Sequence, residues 1–171
     1  MPDQRDNEKA RLAALSGYGL LDTPNEPEFD AIVRQAQHLF SARTALISLI
    51  DEHRQWFMAK VGIDPAETPR SISFCTHAIR RDEIFVVTDA TKDERFADSP
   101  LVTGEPHIRF YAGMPLRTPA GHRIGTLCVF DDKVRPEPTE AEREGLAALA
   151  DRTMEAFERR RVRLANRRAS A

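Results

Sequence analysis

Two neighbouring apolar segments constrain the fold more than any other feature of this chain. The run "TALISLID" at 44–51 has the length of a strand and is rich in branched residues, and "RQWFMAKVG" at 54–62 follows it. The short polar connection around Glu52 and His53 predicts that the two strands pair as a hairpin. Because the first run is apolar on both faces, it is expected to be a central strand covered on both sides. The chain must therefore place packing layers on both faces of an antiparallel sheet.

Helix signals at both ends of the sequence supply one of these layers. Asn7 is placed as the N-cap of a first helix that ends near Gly17. A second helix has Pro27 in its first turn and carries an apolar stripe at helical spacing. Thr139 and Glu142 have the spacing of a capping box and predict the start of a long final helix.

A short helix and a long loop follow the first hairpin. Ser73 is placed to cap the short helix "FCTHAIRR" at 74–81. In the loop beyond, Thr91 and Glu94 are spaced as a capping box, and Ser99 precedes a proline. These signals predict two single-turn helices within an ordered loop.

Three further strands complete the predicted sheet. One is "IFVVTDA" at 84–90, and the other two, at 109–116 and 122–131, form a hairpin that turns at "TPAGH". Hairpin-linked strands with helices at the chain ends predict an α+β fold with a central antiparallel sheet of five to six strands. Most helices are expected on one face of that sheet.

Seven segments in this order resemble the GAF domains of bacterial signalling proteins, which often lie upstream of histidine kinases or diguanylate cyclases. They are "LLDTPNEPEFD", "ALISLID", "RQWF", "SFCTHAI", "VVTDATKDERFADSPLV", "RFYAGMPL" and "IGTLCVFD". The resemblance implies a GAF/PAS-like sheet backed on one face by the N- and C-terminal helices. On the other face, a short helix and a long loop often roof a small-molecule pocket. We expect a single GAF domain over 1–158 and a basic helical extension over 159–171.

Composition excludes several other classes of function. The formal net charge of −2 predicts no general attraction to nucleic acid or to an anionic membrane. The sequence has neither a signal-peptide core nor an apolar run long enough to span a membrane, so a cytoplasmic protein is expected. We find no P-loop, GxGxxG, HExxH or GxSxG motif, so no catalytic activity is predicted and no cofactor is assigned.

Cys75 and His77 are the first candidate site residues, but they cannot act together. Positions two apart on a helix are about 200° apart around its axis, so the two side chains point to different faces. Cys75 is either a small buried residue or a thiol that faces the pocket. His77 either lies on the helix surface, with a hydrogen-bonding role, or lines the pocket or ligates a haem. Bilin attachment, as in phytochromes, typically uses an adjacent Cys-His pair that "FCTHAIRR" lacks.

Cys128 is the only other cysteine, 53 residues away. Strand alternation groups it with Ile124, Thr126 and Phe130. If this face meets the short helix, Cys75 and Cys128 approach each other and can form a redox pair. The sequence does not establish the distance between them, and the same two thiols are the minimum for a reductase that resembles free methionine sulfoxide reductases.

A second constellation comprises Asp89, Asp93, Arg95, Arg109 and Tyr111. Arginine beside aromatic and hydroxyl groups can hold a carboxylate or a phosphate. Alternatively, the arginines pair with the aspartates and pin the loop. On the strand at 109–116, alternation places Arg109 and Tyr111 on the face of the roofing loop.

The final helix carries a possible dimer seam and a basic end. Six arginines and no acid lie between Arg159 and Arg168, which indicates either phosphate or partner binding or a solvated helix end. The apolar stripe upstream is expected to serve the core first and a homodimer seam second. Its members are Leu146, Leu149, Ala150, Thr153 and Phe157.

The sequence as a whole predicts a sensory or regulatory domain that binds a small molecule, or senses redox state, in a pocket under residues 73–80 and 89–108. It is expected to relay the signal through its terminal helices to a kinase or a cyclase. The candidate ligand-binding residues are Cys75, His77, Asp89, Arg95, Arg109, Tyr111 and Cys128. The alternatives are a thiol reductase that uses both cysteines and a scaffold whose pocket is filled by side chains.

Overall fold

Five α-helices and six β-strands are found in residues 4–170, which a computed structural model describes. The helices are α1 (Gln4–Gly17), α2 (Pro27–Phe40), α3 (Cys75–Ala78), α4 (Pro100–Thr103) and α5 (Glu140–Ala169). The strands are β1 (Thr44–Ile50), β2 (Arg54–Val61), β3 (Glu67–Pro69), β4 (Phe85–Val87), β5 (Phe110–Arg117) and β6 (Arg123–Asp131). Single 3₁₀ turns at Arg70–Ile72 and Ala90–Lys92 precede α3 and α4.

All six strands belong to one antiparallel sheet in the order β3-β2-β1-β6-β5-β4. β1 lies between β2 and β6, and each of its residues is buried, which confirms the predicted central strand and the α+β class. The sequence did not predict the edge strand β3, which pairs with Arg54–Trp56 of β2. A three-residue strand that contains a proline offers no periodic pattern to recognise.

The three long helices cover one face of the sheet and form the larger core. Phe157 of α5 lies at the centre of this layer, where its ring centroid is 5.1 Å from that of Phe29 and 6.2 Å from that of Tyr18. The capping box of Thr139 and Glu142 is present at the start of α5, as predicted. This layer packs α1 and α5 against the sheet.

The opposite face is covered by α3 and by the loop that contains α4. We call residues 73–80 and 89–108 the roof. The ring of Phe74 stacks on that of Phe96 with 4.0 Å between centroids, and Phe85 meets Phe96 edge to face at 6.2 Å. These rings are buried, so the roof is packed as an apolar layer of its own.

Three predicted helix starts differ from the structure. α1 already includes Gln4, so Asn7 lies inside the helix and does not cap it, because a cap residue must leave helical geometry. The short helix covers only Cys75–Ala78, although the Ser73 hydroxyl does accept the Thr76 N–H at 3.3 Å. Thr91 and Glu94 form no capping box. The Asp89 carboxylate caps that turn instead, since it accepts both the N–H and the hydroxyl of Thr91.

Ile124 is on the helix side of the sheet, not on the face of Cys128. Leu116 pairs with Gly125 and Arg117 pairs with Arg123, so Ile124 is an extra residue in β6 at this point. Such a bulge interrupts the alternation of side chains on which the prediction relied. Strand β5 is regular from Phe110 to Leu116, so its predicted faces are confirmed.

Candidate functional site

A small cavity separates the roof from the sheet. Its volume is about 20 Å³, and its walls include Gln55, Cys75, Tyr111 and Cys128. A polar cavity needs roughly 10–15 Å³ to hold one water molecule. The roofed pocket that the sequence predicted is therefore present but nearly filled by side chains, and the Phe74 ring takes part in closing it.

The two cysteines meet inside this cavity. The Cys75 and Cys128 sulfur atoms are 3.9 Å apart, and both thiols are free and buried. The Thr126 hydroxyl donates to Cys75 Sγ at 3.1 Å, and the Tyr111 hydroxyl lies 3.1 Å from the same sulfur. We call Cys75, Tyr111, Thr126 and Cys128 the thiol cluster. It brings together the roof and strands β5 and β6.

The two thiols differ in acidity. Burial raises the pKa of Cys75, but hydrogen bonds from Cys128, Thr126 and Tyr111 together outweigh burial, so the pKa ends below its usual range. The hydrogen bond to Cys75, followed by burial, raises the pKa of Cys128 well above its usual range. Burial also raises the pKa of Tyr111. Cys75 is thus the sulfur that ionises first, while its neighbours keep their protons.

A second polar group lies beside the thiol cluster. The Gln55 carboxamide oxygen accepts the Ser48 hydroxyl at 2.9 Å and the Ser73 hydroxyl at 2.8 Å. Its nitrogen donates to the Thr68 hydroxyl at 2.7 Å. Ser48 and Gln55 are not among the site residues predicted from the sequence. The sequence does contain an indication of this site, because Ser48 is a polar residue inside the apolar run of β1.

The charged candidates of the loop are not at the cavity. Arg95 forms a bidentate pair with Asp93, at 3.0 and 2.7 Å. Asp89 caps the 3₁₀ turn, and Arg109 donates to the carbonyl oxygens of Val102 and Ile108 at 2.9 and 3.1 Å. Each of these side chains holds the loop in place, which was the alternative weighed against ligand binding.

The His77 ring faces the aromatic rings of the roof and does not face Cys75. Its ring meets Phe96 edge to face, with 4.9 Å between centroids. Burial, together with the nearby cations Arg80 and Arg95, lowers the pKa of His77, so the ring is neutral near pH 7. Of the seven candidates, the structure therefore brings together Cys75, Tyr111 and Cys128 and leaves the others outside the cavity wall.

Gly113 is the residue that allows Tyr111 to reach Cys75. A β-carbon at Gly113 would lie 2.3 Å from the Tyr111 hydroxyl oxygen and 2.8 Å from the ring. We expect Gly113→Ala to displace the phenol and to lower the free energy of unfolding by about 1–3 kcal/mol, the usual cost of overpacking. Chemical denaturation measures this.

A double-mutant comparison isolates the cause. In a Tyr111→Phe background the nearest obstructing atom is absent, so the cost of Gly113→Ala should fall. An equal cost in both backgrounds would contradict the role given to the phenol.

Comparison with known families decides the identity of this fold. The model of the GAF domain family matches residues 25–157. The chain belongs to the GAF domain family. The roofed face that holds the thiol cluster is therefore the face on which the resemblance predicted a pocket.

A curated relative is similar to most of this chain. Over 134 residues, or 78% of this chain, the sequence is 46% identical to a cyclic di-GMP phosphodiesterase of Pseudomonas aeruginosa. The chain spans only 23% of that relative. The similarity therefore concerns one region of a much longer protein.

Solved structures support the fold. The GAF domain of a phosphoenolpyruvate-protein phosphotransferase from Acinetobacter is similar with a TM-score of 0.62 and 19% identity, over 93% of this chain and 96% of that one. A type II free methionine-R-sulfoxide reductase from Thermoplasma acidophilum has a TM-score of 0.61 and 14% identity, over 90% and 96%. At these identities the likeness concerns the fold alone.

Two other findings bear on the site. Within residues 4–170, no helix combines the length and the apolar character that crossing a membrane requires. In the same residues, no group of three or more histidine, cysteine or acidic side chains is arranged to hold a metal ion.

Proposed function

We propose that this GAF domain is the regulatory input module of a cytoplasmic signalling protein, and that it receives its signal beneath the roof. The 46% identity to part of a cyclic di-GMP phosphodiesterase supports an output partner in cyclic di-GMP turnover. A kinase or a cyclase, the partners expected from the sequence, would use the same module in the same way. The domain itself is proposed to regulate, not to catalyse.

The observation that carries this proposal is the buried polar surface beneath the roof. Ser48, Gln55, Tyr111 and Thr126 are all buried on a sheet face that a purely structural layer would cover with apolar side chains. Burying polar groups costs free energy unless each finds a hydrogen-bond partner. Here Ser48 pairs with Gln55, while Thr126 and Tyr111 contact the Cys75 sulfur. Such groups are ready to exchange those partners for a polar ligand.

A ligand larger than one water molecule requires the roof to move, because the cavity is only about 20 Å³. The domain would then have a closed state, as described here, and an open state that the ligand favours. Strand β6 links these states to the helices. Cys128 faces the roof, whereas Leu127 and Val129 on either side of it pack into the helix layer.

Thermal denaturation of the full chain with a metabolite panel tests the proposal. The panel contains cyclic di-GMP, other nucleotides and amino acids. A ligand at 100 times its Kd adds about 2.7 kcal/mol of stability, so a saturable rise in Tm of roughly 5–11 °C is expected for one member. Hydrogen exchange should slow both in the roof and in α5.

Two outcomes separate the alternatives. If no compound shifts Tm and oxidation of the thiols leaves exchange in α5 unchanged, the scaffold is the correct interpretation, which the small size of the cavity favours. If a ligand protects the roof and leaves exchange in α5 unchanged, the relay is refuted. The reductase alternative needs the same opening of the roof to bring methionine sulfoxide to Cys75. An assay of sulfoxide reduction with Cys75→Ser and Cys128→Ser tests it, and full retention of any such activity in both variants would refute it. The homodimer through the terminal helices remains a prediction, which light scattering of the purified chain checks.

A further inference from the structure

We propose that Cys75 and Cys128 form a reversible disulfide in response to hydrogen peroxide, and that this bond locks the roof onto the sheet. The regulatory meaning of the bond rests on the proposed function, whereas its formation does not. The pair sits at the contact between α3 and β6, where the sulfur atoms are 3.9 Å apart.

The local architecture permits the sulfurs to close the remaining distance. A disulfide has a sulfur–sulfur distance of about 2.05 Å, so the two atoms must approach by about 1.9 Å. Cys128 is held in the middle of a paired strand, but Cys75 opens a helix of only four residues. The roof is therefore the side that moves, and its movement is directed toward the sheet.

The surroundings of the two sulfurs divide the chemical roles. The Thr126 hydroxyl donates to Cys75 Sγ and the Tyr111 hydroxyl lies 3.1 Å from it, and once Cys75 is ionised both Tyr111 and the Cys128 thiol can donate to it. Such donors favour the thiolate, which is the nucleophilic form. The Thr126 and Tyr111 hydroxyls also act on Cys128, but both lie 3.1 Å from Cys75 Sγ, and the hydrogen bond with Cys75 keeps the proton on Cys128. Cys75 is thus the attacking thiol and Cys128 the resolving one.

The reaction balances with one equivalent of peroxide. The Cys75 thiolate attacks one oxygen of hydrogen peroxide, so that an S–O bond forms, the O–O bond breaks and hydroxide leaves, which becomes water on taking up a proton. Cys128 then attacks the sulfur of the sulfenic acid, the S–S bond forms, and the hydroxyl leaves as a second water with the Cys128 proton. Two thiols lose two electrons and two protons in total, and peroxide is reduced to two molecules of water.

The cavity determines which oxidant reacts. Both thiols line it, and its volume of about 20 Å³ suits a molecule near the size of water. Hydrogen peroxide is such a molecule, whereas tert-butyl hydroperoxide is not. The bond would also tie the roof to the sheet beside this space, since Cys75 belongs to the roof and Cys128 to β6. Oxidation and ligand binding should therefore exclude each other.

The bond should also change the aromatic packing of the roof. Phe74 is adjacent to Cys75 in the chain and stacks on Phe96 at 4.0 Å, so it moves when Cys75 is drawn to β6. The Tyr111 hydroxyl loses the thiol with which it is in contact. These changes connect the oxidation state of one sulfur pair to the position of the whole roof.

Mass spectrometry of the full wild-type chain tests the inference. After treatment with hydrogen peroxide, denaturation and alkylation, we expect the loss of two hydrogens, complete loss of alkylation at both cysteines, and one peptide that joins Cys75 to Cys128. Dithiothreitol should restore both thiols. Added oxygen without a cross-link, a cross-link between two chains, or two thiols that remain alkylatable would each overturn the proposal.

Matched variants test the roles of the two sulfurs. In Cys128→Ala the remaining Cys75 should gain oxygen, because no resolving thiol is present. In Cys75→Ser the remaining Cys128 should stay reduced under the same treatment. Oxidation of Cys128 in that variant at the rate of wild-type cross-linking would refute the assignment of Cys75 as the attacking thiol. The wild-type result stands even if a variant fails to fold.

Two further readings keep this inference separate from the proposed function. Cross-linking should be several-fold slower with tert-butyl hydroperoxide, and equal rates would refute reaction inside the closed cavity.

Hydrogen exchange in α5 reports on the relay. If the cross-link forms but exchange in α5 is unchanged, and no compound in the panel shifts Tm, the regulatory function is refuted. The disulfide proposal is still supported in that case. A ligand that shifts Tm, with no cross-link after peroxide, refutes the disulfide alone.

Discussion

Gly125→Ala is expected to destabilise the fold by about 3 kcal/mol or more, the upper end of the range for overpacking. A β-carbon at this position would lie 2.0 Å from the Ser48 carbonyl oxygen and 3.0 Å from the Leu49 α-carbon. These are backbone atoms of β1, which is paired on both sides and cannot move away. For a chain of this length, the expected fall in Tm is roughly 6–12 °C.

The same substitution at Gly17 is the matched control. No atom outside the immediate chain lies within 4 Å of a β-carbon there, and the residue ends α1 with ordinary backbone angles. Gly17→Ala should leave stability unchanged or raise it by up to about 1 kcal/mol, since alanine favours helix more than glycine does. Equal stabilities for the two variants, measured by urea denaturation, would contradict the close approach of β1 and β6.

Phe157→Ala is the second substitution with a large expected effect, about 3–5 kcal/mol. This side chain of α5 is fully buried, and its ring contacts those of Tyr18, just after α1, and Phe29 in α2. Its removal leaves a cavity in the layer that fixes α5 to the domain. A fall in Tm of roughly 6–20 °C follows, together with faster hydrogen exchange along α5.

Val162→Ala is the control for that substitution. Val162 is on the same helix and 55% exposed, so its truncation should change stability by less than about 0.5 kcal/mol. If Phe157→Ala cost no more than Val162→Ala, α5 would not be anchored to the domain through this ring, and the proposed relay would lose its mechanical basis.

The basic end of α5 contributes to the same anchor. Arg160 donates to the Glu26 carboxylate at 2.7 Å and to the Tyr18 and Gly19 carbonyl oxygens at 3.2 and 3.0 Å. Arg159 pairs with Glu28. The first arginines of the extension predicted over 159–171 therefore contact the connection between α1 and α2. If α5 moves, these contacts must either break or move together with the helix.

Periodic patterns allowed most of the fold to be predicted. The central strand, both hairpins and the capping box of α5 depend on residues near one another in the chain, and local sequence determines such features. The failures have local causes too. At Thr91 a neighbouring aspartate competes for the same donors, and at Ile124 a bulge shifts the alternation by one residue.

The sequence by itself determined that Cys75 and His77 do not act together, because the geometry of a helix separates side chains two positions apart. It also placed Cys128 and Tyr111 on strand faces that alternation defines. Only the tertiary structure decided that Cys75 meets Cys128 at 3.9 Å and that the cavity beside them holds about one water molecule. The physical reason is that the position of α3 depends on packing between distant parts of the chain, above all Phe74 against Phe96, and no local pattern encodes that contact.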